Sequence, residues 1–184
     1  RCVLMTGTET PMAPDVRKSE PTDQPGIFKL YPRAFPEENL IPLVTSLLDD
    51  PASVLSLIAL SASEITGHAA CTFCELEGQN RRVALLGPIA VDPDHQRQGV
   101  GQALVRDVFT RMEASDIDRV CVLGDPAYYR RFGFAPETGV EPPYPLPNEW
   151  RGAWQSRLLN DDDCSLSGRM AVPAPWRDPT LWGG

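Results

Sequence analysis

One stretch, Val83 to Met112, limits what the rest of the chain can become. It reads V-A-L-L-G-P-I-A-V-D-P-D-H-Q-R-Q-G-V-G-Q-A-L-V-R-D-V-F-T-R-M. Val83 to Val91 is apolar and partly β-branched, and Asp92-Pro93 cuts it off, so it predicts a buried strand. The loop Asp92–Gln98 then feeds a helix opened by Gly99 and Gly101. Val100, Ala103, Leu104, Val108 and Met112 recur at helical spacing, which turns one face of that helix towards a core. A strand, a glycine-bearing loop and a helix N-terminus together make an anion site. The first N–H groups of a helix lack partners within it, and its dipole adds partial positive charge there. Glycine lets the backbone come close to a phosphate.

Two phosphate motifs fail on this stretch. The Walker pattern places Lys-Ser/Thr after its glycines, whereas Gln102-Ala103 follows Gly101. The dinucleotide fingerprint G-x-G-x-x-G/A, started at Gly99, ends on Leu104. Gln96-Arg97-Gln98-Gly99-Val100-Gly101 instead resembles the Q/R-x-x-G-x-G/A pyrophosphate loop of the GNAT N-acetyltransferases, which bind acetyl-coenzyme A. Downstream, Tyr128-Tyr129-Arg130-Arg131-Phe132-Gly133-Phe134 is similar to that family's second signature, an aromatic-Tyr pair shortly before Gly-Phe. The resemblance covers roughly Met12 to Pro136 and is sharpest from Leu86 to Phe134.

The resemblance implies an α/β fold: a mixed, mostly antiparallel sheet with flanking helices and a splayed central strand pair. In the family the pantetheine arm lies in that gap as an added strand would. Carried over, Ile89, Ala90 and Val91 supply the main-chain edge for the arm. Gln96, Arg97, Gln98, Gly99, Val100, Gly101 and Gln102 surround the pyrophosphate, and Arg97 adds a charge for a highly anionic ligand. The implied reaction is direct attack on the thioester by a neutral amine of a small molecule or peptide. The backbone N–H near Ile89 would serve the developing oxyanion, and Tyr129 would protonate the departing thiolate.

Two features depart from the family pattern. Many relatives carry a glutamate on the central strand as the base, and Arg82 to Val91 contains no carboxylate. Asp125, His68 and Glu64 are the substitutes, in that order; Gly67-His68 resembles a Gly-His frequent in the family's third strand. Val122 stands where relatives commonly have a polar residue. The missing carboxylate also fits a non-catalytic acyl-CoA sensor on the same fold. An interaction module using Pro142–Pro147 and the tryptophan-rich tail is a further alternative.

Composition narrows the classes. At 184 residues the chain holds one full core, and its 42% hydrophobic content fits a soluble globular protein. No apolar run approaches the roughly 20 residues of a membrane helix. A net charge of −8 argues against nucleic acid and suits a cationic amine. Cys2, Cys71, Cys74, Cys121 and Cys164 form no metal pattern, because Cys71 and Cys74 on a strand would point to opposite faces. Reduced cysteines predict a cytoplasmic protein. A homodimer is compatible with the resemblance. Residues 1 to about 11 read as a loose tail with too short an apolar segment for a secretory signal, and 12–184 as one acetyltransferase domain.

The remaining elements follow from pattern. Thr22 or Asp23 caps a helix reaching about Phe35, with Pro32 kinking or ending it. Pro36-Glu37-Glu38 opens a second helix with Leu40, Ile41, Val44, Leu47 and Leu48 on its apolar face. Val54–Ala62 and Ile65–Glu75 make a hairpin, and Asp118–Leu123 is a short buried strand. From about residue 137 the chain is a Pro- and Trp-rich extension. Within it, Trp150, Trp154 and Leu158 mark an amphipathic segment, Asp161-Asp162-Asp163 a turn, and Cys164–Val172 a last strand.

Overall fold

The apolar runs become a sheet. A computed structural model describes residues 13–159 and 165–184. Its strands are β1 (Asp15–Lys18), β2 (Val54–Ser61), β3 (Glu64–Leu76), β4 (Arg82–Val91), β5 (Arg119–Leu123), β6 (Ala135–Pro136), β7 (Val140–Glu141), β8 (Trp154–Leu158) and β9 (Gly168–Ala171). The helices are α1 (Gln24–Ala34), α2 (Ile41–Leu48), α3 (Val100–Ala114) and α4 (Pro126–Tyr129). Strand order is β1-β2-β3-β4-β5-β8-β6, with β9 pairing to both β3 and β7. The principal ladders are antiparallel, and β4 with β5 forms the central parallel pair. This is the mixed, mostly antiparallel architecture that the sequence implied.

Alternation along the strands builds a core on each face. On one face α3 buries Val100, Leu104, Val105, Val108, Phe109 and Met112 against Leu57, Ala69, Cys71 and Leu86. Gly67 seats this helix, since a Cβ there would lie 2.6 Å from Val100 and 2.9 Å from Leu104. On the other face α1 covers Ile58 and Ala90, while the C-terminal segment covers Cys74, Leu76, Val83 and Leu85. Cys71 and Cys74 therefore do fall into cores on opposite faces. Cys71, Cys74 and Cys121 are buried free thiols; Cys2 and Cys164 lie outside the described residues.

Several boundaries differ from the sequence reading. Pro32 lies inside α1, which ends two residues later where the Phe35 N–H closes on Tyr31 O at 2.8 Å. The acids Glu37 and Glu38 sit in a turn, and α2 starts at Ile41 with Pro42 in its first turn. That turn brings Leu40 and Ile41 onto the α1 core, and the fixed φ of proline suits a first helical turn. Trp154 to Leu158 is a strand, preceded by a 3-10 turn over Asn148–Ala153. The last strand is shorter than expected, Gly168–Ala171. The Asp161–Asp163 turn and the chain before residue 13 lie outside the described residues.

The Pro- and Trp-rich extension folds back onto the sheet. Tyr144 and Leu146 pack on the cluster around Trp154, Trp176 and Trp182. Trp176 Nε1 donates to Thr72 Oγ1 at 2.9 Å, and Trp182 Nε1 to the Trp176 carbonyl at 3.1 Å. Arg119 and Glu137 form a buried ion pair at 2.7 Å. The Glu137 carboxylate also accepts from the N–H groups of Gly139 and Val140, both at 2.8 Å, and from the Ser156 hydroxyl. Buried charge is tolerable only with such a full set of partners.

Candidate active site

The central parallel pair is short. β4 meets β5 at Ala84–Leu86 against Val120–Val122, and from Gly87 onwards the two strands separate. The Asp92 N–H bonds to Thr66 O on β3 at 2.8 Å. Backbone direction alternates along a strand, so Ala90 also faces β3, whereas Ile89 and Val91 turn their N–H and C=O groups into the gap. Ala90 thus departs from its expected role: its side chain is buried against α1, and its main chain belongs to the β3 ladder. Pro88 has no N–H, which makes Ile89 the first donor on the open edge beyond Gly87.

Across the gap stands the glycine loop. Gly99 caps α3 at φ +83°, a left-handed conformation that glycine takes without penalty. Arg97 is also left-handed, at φ +62°, so the loop folds tightly before the helix begins. Ile89, Val91, Gln96, Arg97, Gly99, Val100, Gly101 and Gln102 line one cleft of about 810 Å³. Gln98 is not among its lining residues, and its side chain turns back to bond the Asp94 carbonyl at 3.1 Å.

The third wall is α4. Asp125 caps it by accepting from the Ala127 N–H at 2.9 Å, and Asp125, Tyr128, Tyr129, Arg131 and Phe132 line the cleft. The Tyr129 ring lies against Gly124, where a side chain would collide with it, and stands edge-on to Phe134. Among the described residues nothing hydrogen-bonds its hydroxyl. Burial, with a smaller push from Tyr128, raises its pKa well above the ordinary phenol value. Tyr129 therefore keeps its proton at neutral pH. The Arg131 guanidinium lies over the Tyr128 ring, 5.0 Å from its centroid.

His68 is elsewhere. It is 1% exposed, with Nδ1 2.6 Å from the Tyr31 hydroxyl and Nε2 2.8 Å from Ser56 Oγ. Ser19 Oγ extends the chain, 2.6 Å from Ser56 Oγ. Among the described residues Nδ1 is the one acceptor within reach of the buried Tyr31 hydroxyl, so Tyr31 donates to it. The ring proton is then on Nε2, donating to Ser56. Burial pushes the His68 pKa down to about 3. A ring with no free nitrogen and so little basicity is a structural link, which corrects the expectation of a base. Glu64 is exposed at the start of β3, outside this cleft.

Ala34 and Phe35, from the end of α1, also line the cleft, in line with an acceptor side near the helix pair Phe35–Leu48, and Arg131 adds a second cation to Arg97 in the lining. Val122 is a buried β5 residue opposite Gln155, whose amide donates to the Gly124 carbonyl at 3.1 Å. A polar group thus reaches this end of β5 from the neighbouring strand. Among the described residues no cluster of three His, Cys, Asp or Glu side chains is placed to hold a metal.

A splayed parallel pair, a glycine-opened helix and a Tyr before Gly-Phe converge in one cleft. The profile of the Acetyltransferase (GNAT) family matches residues 25–134, which carry all three. This chain belongs to the GNAT acetyltransferase family. GNAT relatives extend past the matched segment. The uncharacterized N-acetyltransferase YjhQ of Escherichia coli (strain K12) is 31% identical over 164 residues, covering 85% of this chain and 91% of its own. The crystal structure of E. coli YhbS, a GNAT family N-acetyltransferase in complex with CoA, superposes with a TM-score of 0.82 at 26% identity. That match covers 93% of this chain and 96% of YhbS. A GNAT family acetyltransferase from Brucella melitensis in complex with acetyl-CoA gives 0.71 at 26% identity, over 89% and 97%.

Proposed function

We propose that this GNAT enzyme transfers an acetyl group from acetyl-CoA to a primary amine by direct attack. What carries the reading is the meeting of three walls in one cleft: the open β4 edge, the N-terminus of α3 and the unbonded Tyr129 hydroxyl. The N–H groups of the loop ending at Gly101, with Arg97 and Arg131, suit an anionic pyrophosphate. The edge at Ile89 and Val91 suits an amide-bearing arm, as an added strand would. Acetyl-CoA brings the activated thioester.

Each protein group then has one task. The Ile89 N–H supports the developing negative charge on the thioester carbonyl oxygen. The Tyr129 hydroxyl passes its proton to the departing thiolate. Asp125 is the carboxylate lining the cleft and is our choice to take the amine's proton, in place of the family's glutamate. The acceptor approaches past Phe35. The missing β4 carboxylate keeps one other reading in play, acyl-CoA binding without turnover. A panel of amines assayed for free thiol release from acetyl-CoA separates the two. Release that depends on an amine supports transfer, and tight binding with no release on any amine overturns it.

A further inference from the structure

Arg33 precedes Ala34 and Phe35, the two residues at the end of α1 that line the cleft. Its guanidinium meets two carboxylates of the segment leading to the glycine loop. Nη1 lies 3.2 Å from Asp92, and Nη2 lies 3.0 Å from Asp94. Asp92 is the pivot of that segment. Its N–H ends the β3–β4 ladder on Thr66 O, and its carboxylate accepts from the Asp94 N–H at 2.9 Å, shaping the turn Pro93–His95. Gln96 and Arg97 follow directly. One planar fork thus ties the end of α1, which carries Phe35, to the root of the glycine loop. Arg33 does not itself line the cleft.

We propose that Arg33 is a positioning residue for the coenzyme loop, holding it through Asp92 and Asp94 at a set distance from Phe35. The inference rests on the coenzyme reading above. A loop already held in place loses less freedom when it closes on an anion, so the clamp strengthens binding without touching the ligand. The fork geometry matters, because arginine presents paired donors to two carboxylates and lysine presents a single flexible ammonium. The Asp92 side chain is 12% exposed, which shields this part of the clamp from solvent, whereas Asp94 is 78% exposed.

Calorimetric titration of the full chain with CoA tests this, using Arg33→Gln, Arg33→Lys and Asp94→Asn. Arg33→Gln should weaken CoA about fivefold, the upper range for a partly exposed ion pair. Arg33→Lys should recover part of that loss. The sign for Asp94→Asn decides the matter. Deleting a negative charge beside an anion site would tighten CoA through the field alone, whereas a loosened clamp weakens it. Tighter binding by Asp94→Asn overturns the proposal. Unchanged affinity in Arg33→Gln does the same, even with a lowered melting temperature, because the role would then be stability alone. A wild-type protein that fails to bind CoA overturns the coenzyme reading and takes this inference with it.

Discussion

The Tyr128 hydroxyl lies where a side chain on Gly101 would begin: a Cβ at Gly101 would be 2.5 Å from it. Gly101 therefore serves a protein neighbour as well as the approach of an anion. Gly101→Ala should displace Tyr128 into the cleft. The stabilisation given by acetyl-CoA, about 2.7 kcal/mol at 100 times its dissociation constant, should then fall sharply. In a Tyr128→Phe background the colliding atom is gone, and Gly101→Ala should be better tolerated. Melting curves of the four proteins with and without acetyl-CoA check both statements.

Tyr129→Phe keeps the ring packed against Gly124 and Phe134 and removes the hydroxyl. We expect normal folding, near-normal CoA affinity and turnover lower by about 10²-fold or more, the usual scale for acid catalysis. Turnover at the wild-type rate would leave Tyr129 as packing.

Asp125 gives a second test of the chemistry. If it takes the amine's proton, Asp125→Asn should lower turnover by about 10²-fold or more at neutral pH and leave CoA affinity near normal. Turnover at the wild-type rate would show that Asp125 takes no proton. Asp125→Ala is the poorer probe, because it also removes the cap on α4.

His68 predicts an acid limb of stability. Its folded pKa is about 3, against roughly 6.5 in an unfolded chain. Between those values the unfolded chain holds the proton and the folded chain does not. The contribution is thus complete above about pH 6.5 and is lost as pH falls towards 3, by up to ~1.4 kcal/mol per pH unit. His68→Gln keeps one donor and one acceptor but cannot titrate. Its urea midpoint should fall less steeply than wild type between about pH 6 and pH 4.

Trp182 is 1% exposed, packs on Trp154 and Trp176, and donates to the Trp176 carbonyl. Trp182→Ala should cost about 3–5 kcal/mol, the range for deleting a buried large aromatic. Denaturant unfolding measures it, and a loss under 1 kcal/mol would show that the tail is dispensable.

What could be read from sequence was local. The strand, loop and helix from Val83 to Met112 carry their own periodicity and their own glycines, and the structure reproduces them almost residue for residue. Tyr129 was visible because its relation to Gly133 lies within one short segment. His68 could stand as a candidate base in the sequence because its partners, Tyr31 and Ser56, lie 37 and 12 residues away and only the fold brings them together. Arg33 gave no local signal, since its partners Asp92 and Asp94 lie about sixty residues further along the chain. The start of α2 was misread because the acids at Glu37-Glu38 resemble a helix opening, while burial of Leu40 and Ile41 and the fixed φ of Pro42 set the real one.

The brevity of the β4–β5 pairing, three residues on each strand, has a mechanical meaning. The sheet behaves as two plates, β1 to β4 on one side and β5, β8 and β6 on the other, riveted along a short seam. Trp154 of the second plate rests on Trp182, which is bonded to Trp176, itself fastened to Thr72 of the first plate. That clasp bridges the seam on one face. The cleft opens at the end of the sheet where that seam has stopped. Extending the ladder by a single pair, Gly87 to Leu123, would draw the plates together and narrow the opening while leaving Tyr129, Asp125 and the glycine loop unchanged in sequence.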